Sequence, residues 1–323
     1  MGQQPRAPST TWQRGMSLLF TFPGQGSQHV GMLQTLPDHP ACRLTLDEAQ
    51  SVLARSAHTL DSASALQSTV AVQLCLLIAG VASARLLSAE VCTPDMVAGL
   101  SVGAFAAAVC AGALDFSDAL RVVQLRAQLM EQAYPQGYGM TAISGRVRLQ
   151  IQSLLLQAQE RGRQLYLANI NTDHQLVIAG HVHDLDWLED QCSRSFAQCQ
   201  RLNVHVPSHC TLLDAAADQL QLAFSSVRVH APHIDYLSSN AVRVIRQPAL
   251  LAQDLVRNMA TMVCWQDTCQ LAYERGARLA VEMLPGNILS RLSRPVFAPG
   301  MTVALASTRL DSLRVLQSRQ TSH

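Results

Sequence analysis

The chain has 323 residues, 48% of them apolar and 15% charged, with a formal net charge of +1. That balance describes a globular protein of one large domain or two with an ample core, and it excludes a disordered chain and any global electrostatic case for nucleic acid. Every one of the 24 basic residues is an arginine, which removes Schiff-base chemistry and the lysine of a phosphate-binding P-loop.

The nine cysteines (42, 75, 92, 110, 192, 199, 210, 264 and 269) form no C-x-x-C pair and read as reduced, mostly buried thiols of a cytoplasmic protein. Residues 1–15 are polar, carry Pro5, Pro8 and Arg14, and read as a disordered leader without a secretory signal. The longest apolar run, Leu74 to Ala82, is too short to span a bilayer and predicts a buried helix.

In chain order, Ser17–Phe22 is a β-type run that ends at Pro23-Gly24, and Gly26 to Leu36 can form a first helix. Leu46–Leu53 and Ala63–Leu87 have helical spacing, Val97-Ala98 reads as a strand, and Ala104–Cys110 as a helix. A further helix is predicted over about 117–133, capped by Asp115 or Ser117 and broken by Tyr134-Pro135-Gln136-Gly137. The rhythm then changes. Strand-like Met140–Ser144, helical Val147–Glu160, strand-like Gln164–Asn169 and Gln175–Ala179, helical Asp184–Ser195 and strand-like Gln198–Asn203 spell β-α-β-β-α-β. This is the pattern of a ferredoxin-like subdomain, inserted over 138–204 into a larger α/β domain made of 16–137 and 205–312. Residues 313–323 are read as a C-terminal tail. In the second half, helices are predicted over 211–223, 249–262 and 266–276, with strands at 234–237 and 279–283.

Gly99-Leu100-Ser101-Val102-Gly103 is a G-x-S-x-G set between a predicted strand and a predicted helix, the context of a nucleophile elbow. Such a turn lifts the serine hydroxyl from the sheet and leaves the next N–H, that of Val102, free at a helix N-terminus. A surface turn matches the same pattern by chance. A serine needs a base, and of the eleven histidines His209 stands out because it follows Pro207-Ser208 where the inserted unit returns to the large domain. The alternative is a structural histidine at a helix start. His205 and His209 lack the glutamate of H-E-x-x-H, and Pro207 lies between them, so a zinc pair is not expected. Gly24-Gln25-Gly26 lacks the third glycine of G-x-G-x-x-G; instead of cradling a phosphate, it can place the Gln25 N–H opposite the elbow. Arg126 lies among apolar helical neighbours and reads either as part of a solvated face or as a fixed fork for a substrate carboxylate.

Together these pieces resemble the malonyl-CoA:acyl carrier protein transacylase family. The matching text is Phe22-Pro23-Gly24-Gln25-Gly26-Ser27-Gln28, Gly99-Leu100-Ser101-Val102-Gly103, Val109-Cys110-Ala111-Gly112 to Asp115-Phe116, and Gln124-Leu125-Arg126 with Met130. Asn169-Ile170-Asn171, Val206-Pro207-Ser208-His209-Cys210 and Pro285-Gly286 complete it, in order, over about residues 16–310. The resemblance implies an α/β-hydrolase-like large domain with a parallel sheet. It also implies Ser101 as nucleophile, His209 as base, and Asn258 as donor of the backbone carbonyl that orients the histidine in place of an aspartate. Gln25 and Val102 become backbone oxyanion donors and Arg126 the anchor for the malonyl carboxylate. No metal or bound cofactor is implied; malonyl-CoA is the substrate and the prosthetic-group thiol of an acyl carrier protein the acceptor.

Several positions depart from the fatty-acid enzymes: Leu100 where histidine is usual, Ala104-Phe105 where a glutamate and an aromatic are common, and Leu284 in place of the first glycine of Gly-Pro-Gly. The G-L-S-V-G-A-F form resembles the epsilon subunit of malonate decarboxylase, so that system, with its other subunits as partners, is the expected setting. The alternative is the transacylase of fatty-acid or polyketide synthesis. Rival readings are a serine thioesterase or hydrolase and a non-catalytic carrier-docking domain. Arg291 and Arg294 are either carrier contacts or a solvated helix face.

Overall fold

The computed structural model describes residues 17–145, 148–193 and 197–321. The predicted leader at 1–15 lies outside them. The first half of the large domain contains β1 (Ser17–Phe22), α1 (Pro40–Leu53), α2 (Thr69–Glu90), β2 (Met96–Gly99), α3 (Gly103–Cys110) and α4 (Phe116–Ala133). The inserted unit runs through β3 (Tyr138–Ser144), α5 (Arg148–Glu160), β4 (Leu165–Thr172), β5 (Gln175–His181), α6 (Val182–Ser193) and β6 (Gln198–Arg201). The chain then returns through α7 (Asp214–Phe224), β7 (Asp235–Ser238), β8 (Arg243–Ile245), α8 (Pro248–Arg257) and β9 (Val263–Cys264). It ends with α9 (Trp265–Glu274), β10 (Ala277–Glu282), α10 (Ile288–Ser293), β11 (Met301–Ala304) and α11 (Leu310–Thr321).

The large sheet has the order β11-β10-β1-β2-β7-β8, parallel through β7 and closed by antiparallel β8. Phe22, the last residue of β1, pairs with Gly99, the last of β2, so the two loops that follow leave the sheet at the same level. In open α/β sheets this carboxyl edge is where ligands bind. The second sheet has the order β6-β3-β5-β4-β9. Its first four strands have the ferredoxin-like arrangement; β9, from the large domain, runs parallel to β4 at Asn169 and Ile170 and ties the two units together. One face of this sheet, with Met140, Ala142, Ala168 and Val177, joins the main core, while Ile143, Leu176 and Ile178 pack with α5 and α6.

Helix α2 is the spine of the core. Of its 22 residues 17 are buried, so although it is long and apolar enough to cross a membrane, its apolar surface is covered by protein. It starts at Thr69, later than Ala63, because the Ser68 hydroxyl accepts from the Val70 N–H as an N-cap.

Several expectations fail for local reasons. Residues 26–36 form turns, not a helix: Gly26 and Gly31 have positive φ, and buried Asp61 takes the Leu33 N–H at 2.8 Å. The first helix instead begins at Pro40, capped by His39. The predicted 249–262 helix stops at Arg257 and tightens into a 3₁₀ turn over Asn258–Ala260, turning carbonyls toward His209. Strands β8, β9 and β11 are two to four residues long and carry too little periodicity to be read. Of the segment 313–323 read as a tail, residues 313–321 belong to α11, where Leu313 is buried and Arg314 pairs with Glu90 at 2.8 Å, and the last two lie outside the described residues. Val147 and Ser195, the expected ends of two helices in the inserted unit, are not among the described residues. Among the described residues no disulfide joins any of the nine cysteines.

Candidate active site

Strand β2 ends at Gly99 and α3 begins at Gly103, leaving Leu100-Ser101-Val102 to make the turn. Ser101 sits at φ +56°, a left-handed conformation that costs a non-glycine residue roughly 1–2 kcal/mol. The flanking glycines make it possible: a Cβ on Gly99 would lie 2.1 Å from the Gly103 carbonyl carbon, and one on Gly103 would lie 2.1 Å from the Phe22 oxygen. The elbow is also braced from behind, where the Ser239 hydroxyl donates to the Gly99 carbonyl at 2.9 Å.

His209 has a left-handed backbone too, at φ +64°, held by its N–H donating to the Met259 carbonyl at 2.7 Å. Its ring Nδ1 lies 2.9 Å from the Asn258 carbonyl and 3.2 Å from that of Thr261. Carbonyls only accept, so Nδ1 carries the hydrogen and Nε2 presents its lone pair to Ser101 Oγ, 2.9 Å away. Both ring nitrogens are thereby engaged, and none is left for a metal partnership with His205. Burial lowers the imidazole's proton affinity to about 4; the charge on Arg126 adds to the effect, and the two carbonyls oppose it. At neutral pH the ring is an uncharged base.

Arg126 is completely buried on the inner face of α4, which excludes the solvated-face alternative. Its Nη1 donates to Gln73 Oε1 at 2.5 Å, and Nη2 donates to Asn258 Oδ1 at 3.1 Å and to Ser101 Oγ at 3.3 Å. Among the described residues it has no acidic partner, and its Nε has no acceptor. Burial draws its proton affinity down to about 9. A guanidinium that shares its hydrogen bonds with neutral oxygens alone, beside a nucleophile, is a site prepared for an anion.

Gly24 touches the elbow: a Cβ there would lie 2.8 Å from the Leu100 carbonyl. The following Gln25 N–H and the Val102 N–H have no acceptor among the described residues. Two free amides flanking Ser101 have the character of an oxyanion hole.

The structure therefore brings Ser101, His209, Arg126, Gln25, Val102 and Asn258 into one cluster. Asn258 does more than expected: its side chain holds Arg126 while its backbone carbonyl faces His209. Sequence reasoning missed Gln73, Asn240 and the Thr261 carbonyl. Gln73 carried a signal, an amide inside the apolar run Val70–Ala82 and buried in the core. Asn169 and Asn171 on β4 are buried with unpaired side-chain oxygens. Arg291 and Arg294 are exposed on α10 and its C-cap.

The chain is similar to known proteins over most of its length. The family model described as acyl transferase domain matches residues 19–302. The malonyl CoA-acyl carrier protein transacylase of Haemophilus influenzae is 35% identical over 285 residues, covering 86% of this chain and 91% of that protein. The Escherichia coli K12 protein of the same name is 34% identical over 284 residues, covering 86% and 92%. Among solved structures, the malonyl CoA-acyl carrier protein transacylase of Coxiella burnetii superposes with a TM-score of 0.88 at 31% identity, over 96% of this chain and 99% of that one. A malonyl-transacylase solved with its type II polyketide acyl-carrier protein gives a TM-score of 0.87 at 31% identity, over 94% and 99%. A family model matched over residues 19–302, relatives 34–35% identical over 86% of the chain and a fold shared over nearly its whole length place this chain in the acyl transferase family, as an enzyme of the malonyl-CoA:acyl carrier protein transacylase group.

Proposed function

We propose that the protein transfers a malonyl group from malonyl-CoA to the prosthetic-group thiol of an acyl carrier protein. The observation that carries this is Arg126, a buried cation without an acidic partner among the described residues, with Nη2 3.3 Å from Ser101 Oγ. A malonyl thioester supplies the missing carboxylate, one short chain away from the carbonyl under attack. His209 Nε2 takes the Ser101 proton as Oγ attacks the thioester carbon. The amides of Gln25 and Val102 hold the oxyanion; losing one such donor costs about 10²–10³ in rate. The carbonyl re-forms, the C–S bond breaks, and the CoA sulfur leaves with the proton from His209. A carrier thiol then attacks the malonyl-serine ester by the same steps in reverse, which makes the reaction ping-pong.

The relatives found bear the name of malonyl CoA-acyl carrier protein transacylases, and one neighbour is solved with a polyketide carrier. These names favour fatty-acid or polyketide synthesis over the malonate decarboxylase setting implied by the G-L-S-V-G-A-F form, and an acyl carrier protein as the partner. Arg126→Ala tests the anchor. Malonyl transfer is expected to fall by about two orders of magnitude relative to acetyl transfer, since a desolvated charge pair is lost. An unchanged malonyl-to-acetyl ratio, or free malonate as the main product when a carrier is present, refutes the proposal.

A further inference from the structure

Asn240 lies in the turn between β7 and β8, and its hydrogen bonds among the described residues include none to Ser101, His209 or Arg126. Its side chain nevertheless meets both branches of the site. Nδ2 donates to the Thr261 carbonyl at 2.8 Å and to the Met262 carbonyl at 3.0 Å, and Oδ1 accepts from Asn258 Nδ2 at 2.9 Å. Thr261 O is one of the two carbonyls facing His209 Nδ1, and Asn258 Oδ1 holds Arg126 Nη2.

The directions of these bonds are forced. Arginine only donates, so Asn258 must turn its oxygen to Arg126 and its NH₂ to Asn240. Asn240 must then turn its oxygen to Asn258 and its NH₂ to the 261–262 backbone, whose carbonyls only accept. The relay therefore has one sense from end to end. It sits on a fixed base: the Ser238 hydroxyl accepts from the N–H groups of Asn240 and Ala241 at 3.3 and 2.9 Å, and next to it Ser239 braces the elbow at Gly99.

We propose that Asn240 is a positioning residue, setting the base through the Thr261 carbonyl and the anchor arginine through the Asn258 amide. Its two branches separate by chemistry. Asn240→Asp keeps an oxygen for Asn258 but has no N–H for Thr261 and Met262. Asn240→Ala loses both branches.

The inference rests on the malonyl-transfer reading, and the experiment distinguishes the two. Single-turnover acylation of Ser101 by malonyl-CoA and acetyl-CoA is measured for wild type and both variants, normalised to folded protein by circular dichroism. Phosphonylation of Ser101 by a fluorophosphonate is measured alongside; it needs the Ser101–His209 pair and no carboxylate anchor. Asn240→Asp is expected to slow phosphonylation and malonyl acylation about equally, tenfold or so, with the malonyl-to-acetyl ratio preserved. Asn240→Ala is expected to slow both and to lower that ratio severalfold. Wild-type phosphonylation rates in both variants overturn the base branch, and an unchanged acyl ratio in Asn240→Ala overturns the anchor branch. Wild-type protein that takes the fluorophosphonate but no malonyl group overturns the functional reading and leaves phosphonylation to decide the base branch.

Discussion

Replacing Arg126 by methionine is expected to abolish selective malonyl transfer and to make the protein more stable. Arg126 is fully buried and its proton affinity falls to about 9, more than three decades below the ordinary guanidinium value. At about 1.36 kcal/mol per decade, keeping it charged at neutral pH costs the folded state roughly 5 kcal/mol. For a basic group whose affinity is lowered by folding, this cost is present in full below pH 9 and is relieved only above it. Methionine removes the charge and roughly fills the volume. It strands two acceptors, Gln73 Oε1 and Asn258 Oδ1, at about 1–2 kcal/mol each. The balance is a gain of about 1–3 kcal/mol, within the range seen when buried charges give way to apolar side chains. Urea unfolding at pH 7.5 measures it. Methylmalonate or malonate at millimolar concentration should raise the melting temperature of the wild type and leave that of Arg126→Met unmoved. A variant less stable than wild type would show that the neutral oxygens around Arg126 compensate its charge, and the reading of an unpaired cation awaiting a carboxylate would be wrong.

Gly103→Ala should prevent the elbow from forming, because its Cβ would lie 2.1 Å from the Phe22 oxygen; the expected result is a loss of more than about 3 kcal/mol together with loss of fluorophosphonate labelling at Ser101. Asp254, on α8, accepts from Ser238 and Tyr236, and burial pushes its carboxyl up to about 6. A carboxyl raised by folding lowers stability as pH climbs from about 4 through 6, so the wild type minus Asp254→Asn difference in unfolding free energy should decline by about 2–3 kcal/mol across that window and be flat above it. A flat difference throughout would mean that Asp254 stays ionised when folded.

The parts of the site that were legible in the sequence are those that a single local constraint dictates. Gly99 and Gly103 have to be glycine because the backbone of β1 and α3 occupies the space of a side chain, and that constraint surfaces as G-x-S-x-G. The inserted unit was legible because its strands and helices alternate at regular lengths. Asn240, Thr261 and the short strand β9 were not, because their roles depend on carbonyls and amides brought together from segments far apart in the chain, and no local periodicity encodes them. The helix expected to run on to 262 fails for the same reason. The backbone leaves the helix so that the carbonyls of Asn258 and Thr261 can face His209. The G-L-S-V-G-A-F form shows the limit of a short stretch: seven residues suggested a malonate decarboxylase setting that the relatives matched over most of the chain do not support.

The lowered proton affinity of His209 has a consequence for substrate selection. Burial is the larger cause and the Arg126 charge the second, so the free enzyme holds a weak base, near 4. A carboxylate bound to Arg126 cancels the second cause while leaving the first. His209 should therefore become a stronger base when a malonyl group is seated, and remain weak with an acetyl group. The acid limb of kcat/KM, which reports the free enzyme, should inflect near pH 4, and that of the acylation rate at saturating malonyl-CoA should lie at higher pH. With acetyl-CoA the two limbs should coincide. In Arg126→Met the limb of kcat/KM should itself move up, toward but not reaching the ordinary histidine value of about 6.5, because burial persists. Stopped-flow acylation from about pH 3 to 8, reached by pH jump from neutral enzyme, measures all of these. Coincident limbs with malonyl-CoA, or a limb unmoved in Arg126→Met, would show that the arginine's field does not reach the base and that selectivity comes from binding alone.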